Sequence, residues 1–121
     1  MPRQIRALSG GTEAEQLAAF RFALATSEDW STDLNQMAEA WAKGDTAALE
    51  VHVNGAIKAQ SEAAYDVLLT QRNRAWTKTL LGELGGSGVD FVAVGAGHLV
   101  GPDSVVAMLT KAGFTVERVS Q

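Results

Sequence analysis

Cysteine is absent from this 121-residue chain, which removes disulfides and thiolate metal sites together and leaves imidazole and carboxylate groups to hold any metal. Histidine is scarce, with His52 and His98 the only two, so a three-ligand catalytic zinc site within one chain must draw on carboxylates. No apolar run approaches the ~20 residues that cross a bilayer, so no membrane span is expected. Behind Met1-Pro-Arg-Gln-Ile-Arg6 there is no apolar stretch of the kind that makes a secretory signal, and the chain as given is expected in the cytoplasm. Positive charge is short: ten Lys and Arg stand against fourteen Asp and Glu, for a net charge of −4. The basic residues are scattered, which argues against a nucleic-acid partner. The hydrophobic content of 46% is that of an ordinary soluble protein, and the length suits one domain over 1–121.

The first half has helical patterning. Thr12-x-x-Glu15 has the form of a capping box, and Leu17, Phe20 and Leu24 fall on one face of a helix expected over 13–26. Ser31 and Thr32 are candidate caps for a second helix with Leu34, Met37 and Trp41 on one side, ended by Gly44. Asp45 caps a short third helix around Leu49 and Val51. A long helix starts near Ser61 and stops at Gly85-Gly86-Ser87-Gly88, carrying Tyr65, Leu68, Leu69, Trp76 and Leu80 on one stripe. Trp30, Trp41 and Trp76 are expected in the core. Arg72 falls on the same stripe, where a charge is costly unless it snorkels or meets an anion.

After the glycines the pattern changes. Phe91-Val92-Ala93-Val94 is a β-branched apolar run that suits a strand covered on both faces. Gly101-Pro102-Asp103 opens a helix with Val105, Val106 and Leu109 facing inward until Gly113, and the alternating run from Phe114 to Val119 suits a second strand. The expected fold is therefore α/β: a mainly helical N-terminal half, then a C-terminal βαβ unit with a small parallel pair of strands. Two strands make a poor sheet, so completion by a homodimer is expected.

Ligands of open α/β sheets sit beyond the carboxyl ends of strands, which is where Gly95-Ala96-Gly97-His98 falls. Gly95 and Gly97 allow close backbone approach to a substrate or anion, His98 is the candidate metal ligand, and the helix start near Pro102 points N–H groups the same way. The same residues also fit a plain tight turn with a packed histidine, and the glycine spacing matches neither common phosphate-binding pattern. Arg72 and Asn73 offer donors for a carboxylate or phosphate. His52, beside Val51 and Val53, fits a surface or packing residue better than a ligand.

Taken together, Arg72-Asn73-x-x-Trp76, Phe91-Val-Ala-Val-Gly-Ala-Gly-His-Leu-Val-Gly101 and Gly113-Phe-Thr-Val116 closely resemble the C-terminal half of the TraB/GumN family, which includes the Tiki metalloproteases. The likeness is specific from Tyr65 to Val119 and weaker through Ala40-Trp-Ala-Lys-Gly-Asp45 and Glu15-Gln16-Leu17. The resemblance implies a divalent metal (Zn, Mn or Co), G-x-x-H ligands, a glutamate, and peptide hydrolysis. Such proteins typically run to more than twice this length and carry two G-x-x-H motifs; here only Gly95-x-x-His98 is present. Where the family's glutamate usually lies, this sequence has Ser9-Gly10-Gly11, which leaves Glu13 or Glu15 as the nearest substitute ligand or base. The chain thus resembles half of a family domain.

The resulting expectation is a metal-dependent hydrolase whose site is shared across a homodimer, with His98 from each chain brought toward one site. The metal activates water, and Arg72 or the helix N-terminus steadies the oxyanion. The substrate is a peptide by resemblance, with activated esters and phosphoesters also compatible. The alternative is an inactive remnant that persists as a folded or partner-binding domain.

Overall fold

The computed structural model describes residues 12–25 and 30–120. Helix α1 is Glu13–Ala25 and α2 is Trp30–Lys43. Helix α3 joins Thr46–Leu49, a wide π turn at Glu50–Gly55, and Ala56–Gln60. Helix α4 joins Glu62–Tyr65, a second π turn at Asp66–Thr70, and Gln71–Leu84. A single 3₁₀ turn, Ala96–His98, and the short helix α5, Val105–Lys111, complete the order.

Local chemistry sets most of these ends. Thr12 and Glu15 form the reciprocal box: the Thr12 amide donates to the Glu15 carboxylate at 2.7 Å, and the Glu15 amide donates to the Thr12 hydroxyl at 3.3 Å. Asp45 accepts from the Ala48 amide at 3.0 Å, and Ser61 from the Ala64 amide at 3.1 Å. Gly44 ends α2 at φ 65°, a conformation that favours glycine. The Gly44 amide donates to the Trp41 carbonyl and the Asp45 amide to the Ala40 carbonyl, the two bonds of a Schellman ending.

The core is small. Ala40, Leu49 and Val100 meet at its centre with Ala48, Val53 and Ala96 against them, which fixes the loop after the 3₁₀ turn onto α2 and α3. Tyr65, Leu69 and Val105 are buried nearby, and the Thr77 hydroxyl lies 3.6 Å from the Met108 sulfur where α4 meets α5.

Several expectations are corrected. The fold is not α/β: among the described residues no strand and no sheet form, and there is no βαβ unit. Among the described residues, 89–94 make no backbone hydrogen bond, and Val89 and Phe91 are almost fully exposed. The physical reason is that two strands with no neighbours exchange water for too little burial and pairing to hold a ladder. The third helix is much longer than expected, because it continues through a π turn to Gln60. Leu17, Phe20, Leu24 and Trp41 are exposed among the described residues; the side chain of Trp30 and the Ser9-Gly10-Gly11 stretch lie outside the described residues. Pro102 and Asp103 precede α5, whose cap is Ser104, accepting from the Ala107 amide at 3.1 Å.

Candidate functional site

The π turn at Asp66–Thr70 inserts an extra residue into one turn of α4 and rotates the remainder of the helix. Asn73 and Thr77, rather than Arg72 and Trp76, then face α5 and are buried, while Arg72, Trp76 and Leu80 line an open groove of about 990 Å³. Its other walls are Val105, Val106 and Leu109 of α5, and the chain from Gly86 to Gly95 with His98.

The turn that carries His98 is tightly fixed. The His98 amide donates to the Gly95 carbonyl at 3.0 Å, and the Leu99 amide to the Ala96 carbonyl at 2.9 Å. Asn54, in the π turn of α3, donates from Nδ2 to the carbonyls of Gly97 and Val100, each at 3.0 Å. Among the described residues its Oδ1 has no hydrogen-bond partner and instead packs on Gly97, where a Cβ would sit 2.8 Å away. Gly97 is thus required for close packing beneath the turn. Gly95 keeps φ −64° and leaves room beside the imidazole, whose Cδ2 lies 3.9 Å from the position of a Cβ there.

Asn73 determines the chemistry of His98. Its Nδ2 donates to the Asp103 carbonyl at 2.8 Å, which turns its Oδ1 toward His98 Nδ1 at 2.6 Å. An amide oxygen only accepts, so Nδ1 carries the proton and Nε2 keeps its lone pair. That assignment follows from the hydrogen-bond network. Burial, and then the charge of Arg72, hold the His98 pKa below the ordinary 6.5, so the ring is neutral at pH 7. Trp76 contacts both the imidazole and the guanidinium: its ring centroid is 4.7 Å from that of His98, and the Arg72 guanidinium lies 4.9 Å over the indole. Behind Asn73, the Tyr65 hydroxyl donates to the Asp103 carboxylate at 2.9 Å. Burial first, and then that bond, push the Tyr65 pKa up to about 12.

The TraB/PrgY/gumN family model matches residues 1–118. The chain belongs to that family. No curated protein and no solved structure matches it.

Within this TraB/PrgY/gumN chain, the residues singled out by sequence divide into two groups. Arg72, Gly95 and His98 line the groove, Asn73 lies behind His98 at hydrogen-bond distance, and Gly97 is buried beneath the turn against Asn54. Asn73 is 1% exposed, however, so it orients His98 and has no surface to offer a substrate. Glu13 and Glu15 do not line the groove; both are exposed on α1, and the Glu15 carboxylate is engaged by Thr12, which holds its pKa below the usual 4.5. His52, half-buried in the π turn of α3, does not line the groove either. At the N-terminus of α5, Ser104 accepts from the Ala107 amide. Asn54, Trp76 and the Tyr65–Asp103 pair are not legible as site residues in the sequence, because each acts through contacts 20 or more residues away.

A divalent ion fits this donor set only in part. A neutral imidazole with a fixed tautomer is a good ligand. Among the described residues, though, no group of three His, Asp or Glu side chains surrounds a common point, and a hydrolytic zinc takes three protein ligands.

Proposed function

We propose that the chain is a divalent-metal-dependent hydrolase in which His98 ligates zinc, manganese or cobalt through Nε2 and a second copy of the chain completes the site. The observation that carries this reading is the 2.6 Å hydrogen bond that His98 Nδ1 donates to Asn73 Oδ1, an arrangement that fixes a ligating histidine and raises its basicity. Once bound, the ion supplies Lewis acidity and an acidified water at neutral pH. This chain's own groups do the rest: Asn73 holds the ring, and Arg72 attracts the anionic end of the substrate or the charge that develops on it. The resemblance to the Tiki branch favours a peptide substrate, and activated esters and phosphoesters are also compatible with a metal-activated water.

The test is chelator-sensitive hydrolysis across peptide, carboxyl-ester and phosphoester panels, run beside metal analysis. His98→Ala should lose metal and turnover together while keeping its helical circular dichroism. Unchanged metal binding in that variant contradicts the reading. Absence of both stoichiometric metal and turnover in the unmodified protein supports the alternative, an inactive family member retained for binding.

A further inference from the structure

On the flank of α4 away from His98, a second depression of about 410 Å³ lies along the seam with α5. With 3.6 residues per turn, Arg74, Thr77, Lys78 and Leu81 project from α4 opposite to Arg72, Trp76, Leu80 and Glu83, which line the groove. Lys111 of α5 lines the same depression. The chain carries a net charge of −4, yet three of its ten basic residues meet here. Among the described residues the one ion pair is Lys43 with Glu39, so none of the three has a carboxylate within ion-pair distance. Arg74 and Lys78 stand one helical turn apart, where like charges repel and weaken a helix. The single acid of the depression, Asp103, is engaged in holding the loop: its carboxylate accepts the Tyr65 hydroxyl at 2.9 Å and its carbonyl accepts Asn73 at 2.8 Å. The Thr77 hydroxyl is buried and, among the described residues, has only the Met108 sulfur as acceptor, at 3.6 Å. A thioether is a weak acceptor. Three uncompensated cations and one poorly used donor thus line a single small space.

We propose that this depression binds a phosphate monoester through Arg74, Lys78 and Lys111. Two features select that chemistry. Three cations against one carboxylate leave an excess of two positive charges, and a phosphate monoester carries about −1.5 to −2 at pH 7. Its three terminal oxygens also match the donors on offer: the planar Arg74 fork suits two oxygens at once, while Lys78 and Lys111 bring point charges on flexible stems and Thr77 adds a neutral donor. A carboxylate ligand has one charge and two oxygens, and leaves the excess unmatched. Leu81 and Met108 give the esterified body an apolar surface, and the volume falls within the range of about 300–1,000 Å³ usual for small-molecule sites. A small soluble ester and a lipid headgroup present the same group to these residues. Because the depression and the groove share no lining residue, this binding is independent of the metal reading of His98.

Phenyl phosphate titrated into the unmodified protein, followed by calorimetry and amide NMR, should bind at one site with a Kd below about 1 mM and shift the resonances around Thr77, Lys78 and Lys111. Benzoate, with the same ring and a single charge, should bind at least about tenfold more weakly. Arg74, Lys78 and Lys111 are all exposed, so Arg74→Gln, Lys78→Gln and Lys111→Gln should keep the helical circular dichroism while each weakens phenyl phosphate binding by about tenfold. Arg72→Gln, which removes a cation of the groove instead, should bind it as the unmodified protein does. Phosphatidylcholine vesicles carrying phosphatidic acid, whose headgroup is a phosphate monoester, test the lipid source, with phosphatidylserine vesicles as the diester control. Binding of phenyl phosphate that depends on the three cations supports the site with a soluble ester as ligand. Binding confined to phosphatidic acid vesicles, and lost in the same variants, supports it with a lipid headgroup. No binding of either, equal binding of benzoate or of phosphatidylserine vesicles, or a loss in Arg72→Gln rather than in the three variants overturns the proposal.

Discussion

Replacing Asn73 with Leu removes the group on which the state of His98 depends while keeping the number and branching of the side-chain heavy atoms, so no cavity is opened. Two partners are then left alone: the His98 Nδ1–H at 2.6 Å and the Asp103 carbonyl at 2.8 Å. An unsatisfied buried group costs about 1–3 kcal/mol. Asn73 is 1% exposed and Asp103 half-buried, but His98 is open enough for water to reach its ring, so a total of about 2–4 kcal/mol is expected. For a chain of this size that corresponds to a melting temperature lower by roughly 10 °C. The assay is urea unfolding of the unmodified protein, Asn73→Leu, His98→Ala and the double variant. Asn73→Leu should cost about 1 kcal/mol less in the His98→Ala background, because only the Asp103 carbonyl is then orphaned. Equal costs in both backgrounds would refute the claim that Asn73 acts on His98.

The geometry carries three further expected outcomes. The lowered pKa of His98 means the unfolded chain binds its proton more readily, so the stability it contributes is complete above pH 6.5 and is lost as pH falls through the lowered value; Arg72→Gln should move the NMR titration midpoint of His98 upward, and an unmoved midpoint contradicts the assigned role of the Arg72 charge. Gly97→Ala puts a methyl 2.8 Å from Asn54 Oδ1 and 3.1 Å from Val53 Cγ1, and should cost about 1–3 kcal/mol in denaturant unfolding and weaken metal binding by shifting the turn; a neutral effect would show that the contact yields. Asp45→Ala should cost about 1 kcal/mol through the lost cap of α3, with hydrolysis and metal binding unchanged.

Features set by chemistry a few residues apart are legible in the sequence. The Thr12–Glu15 box, the Asp45 and Ser61 caps and the Gly44 ending are all where local rules place them. The buried face of α4 is not legible, because a π turn breaks the 3.6-residue period: the helix buries Leu69, Asn73 and Thr77, not the Arg72–Trp76–Leu80 stripe. The βαβ expectation rests on the β-branched composition of 91–94, but composition states a preference and neighbouring strands are needed to realise it. In the site, His98, Arg72 and the two glycines can be named from residue types and family pattern. The bond that gives His98 its chemistry cannot, because Asn73 reaches it across 25 residues through a helix register that the sequence does not display.

The central claim is that Asn73 fixes the proton of His98 on Nδ1 and leaves Nε2 free for a metal. Long-range ¹H–¹⁵N NMR of the imidazoles tests this directly, since the chain has only two histidines and a His52→Gln variant assigns them. The account predicts a neutral His98 at pH 7 protonated at Nδ1, with the Nε2 resonance shifting on zinc addition while that of Nδ1 persists. A proton on Nε2, or a ring that zinc leaves unchanged, would contradict it.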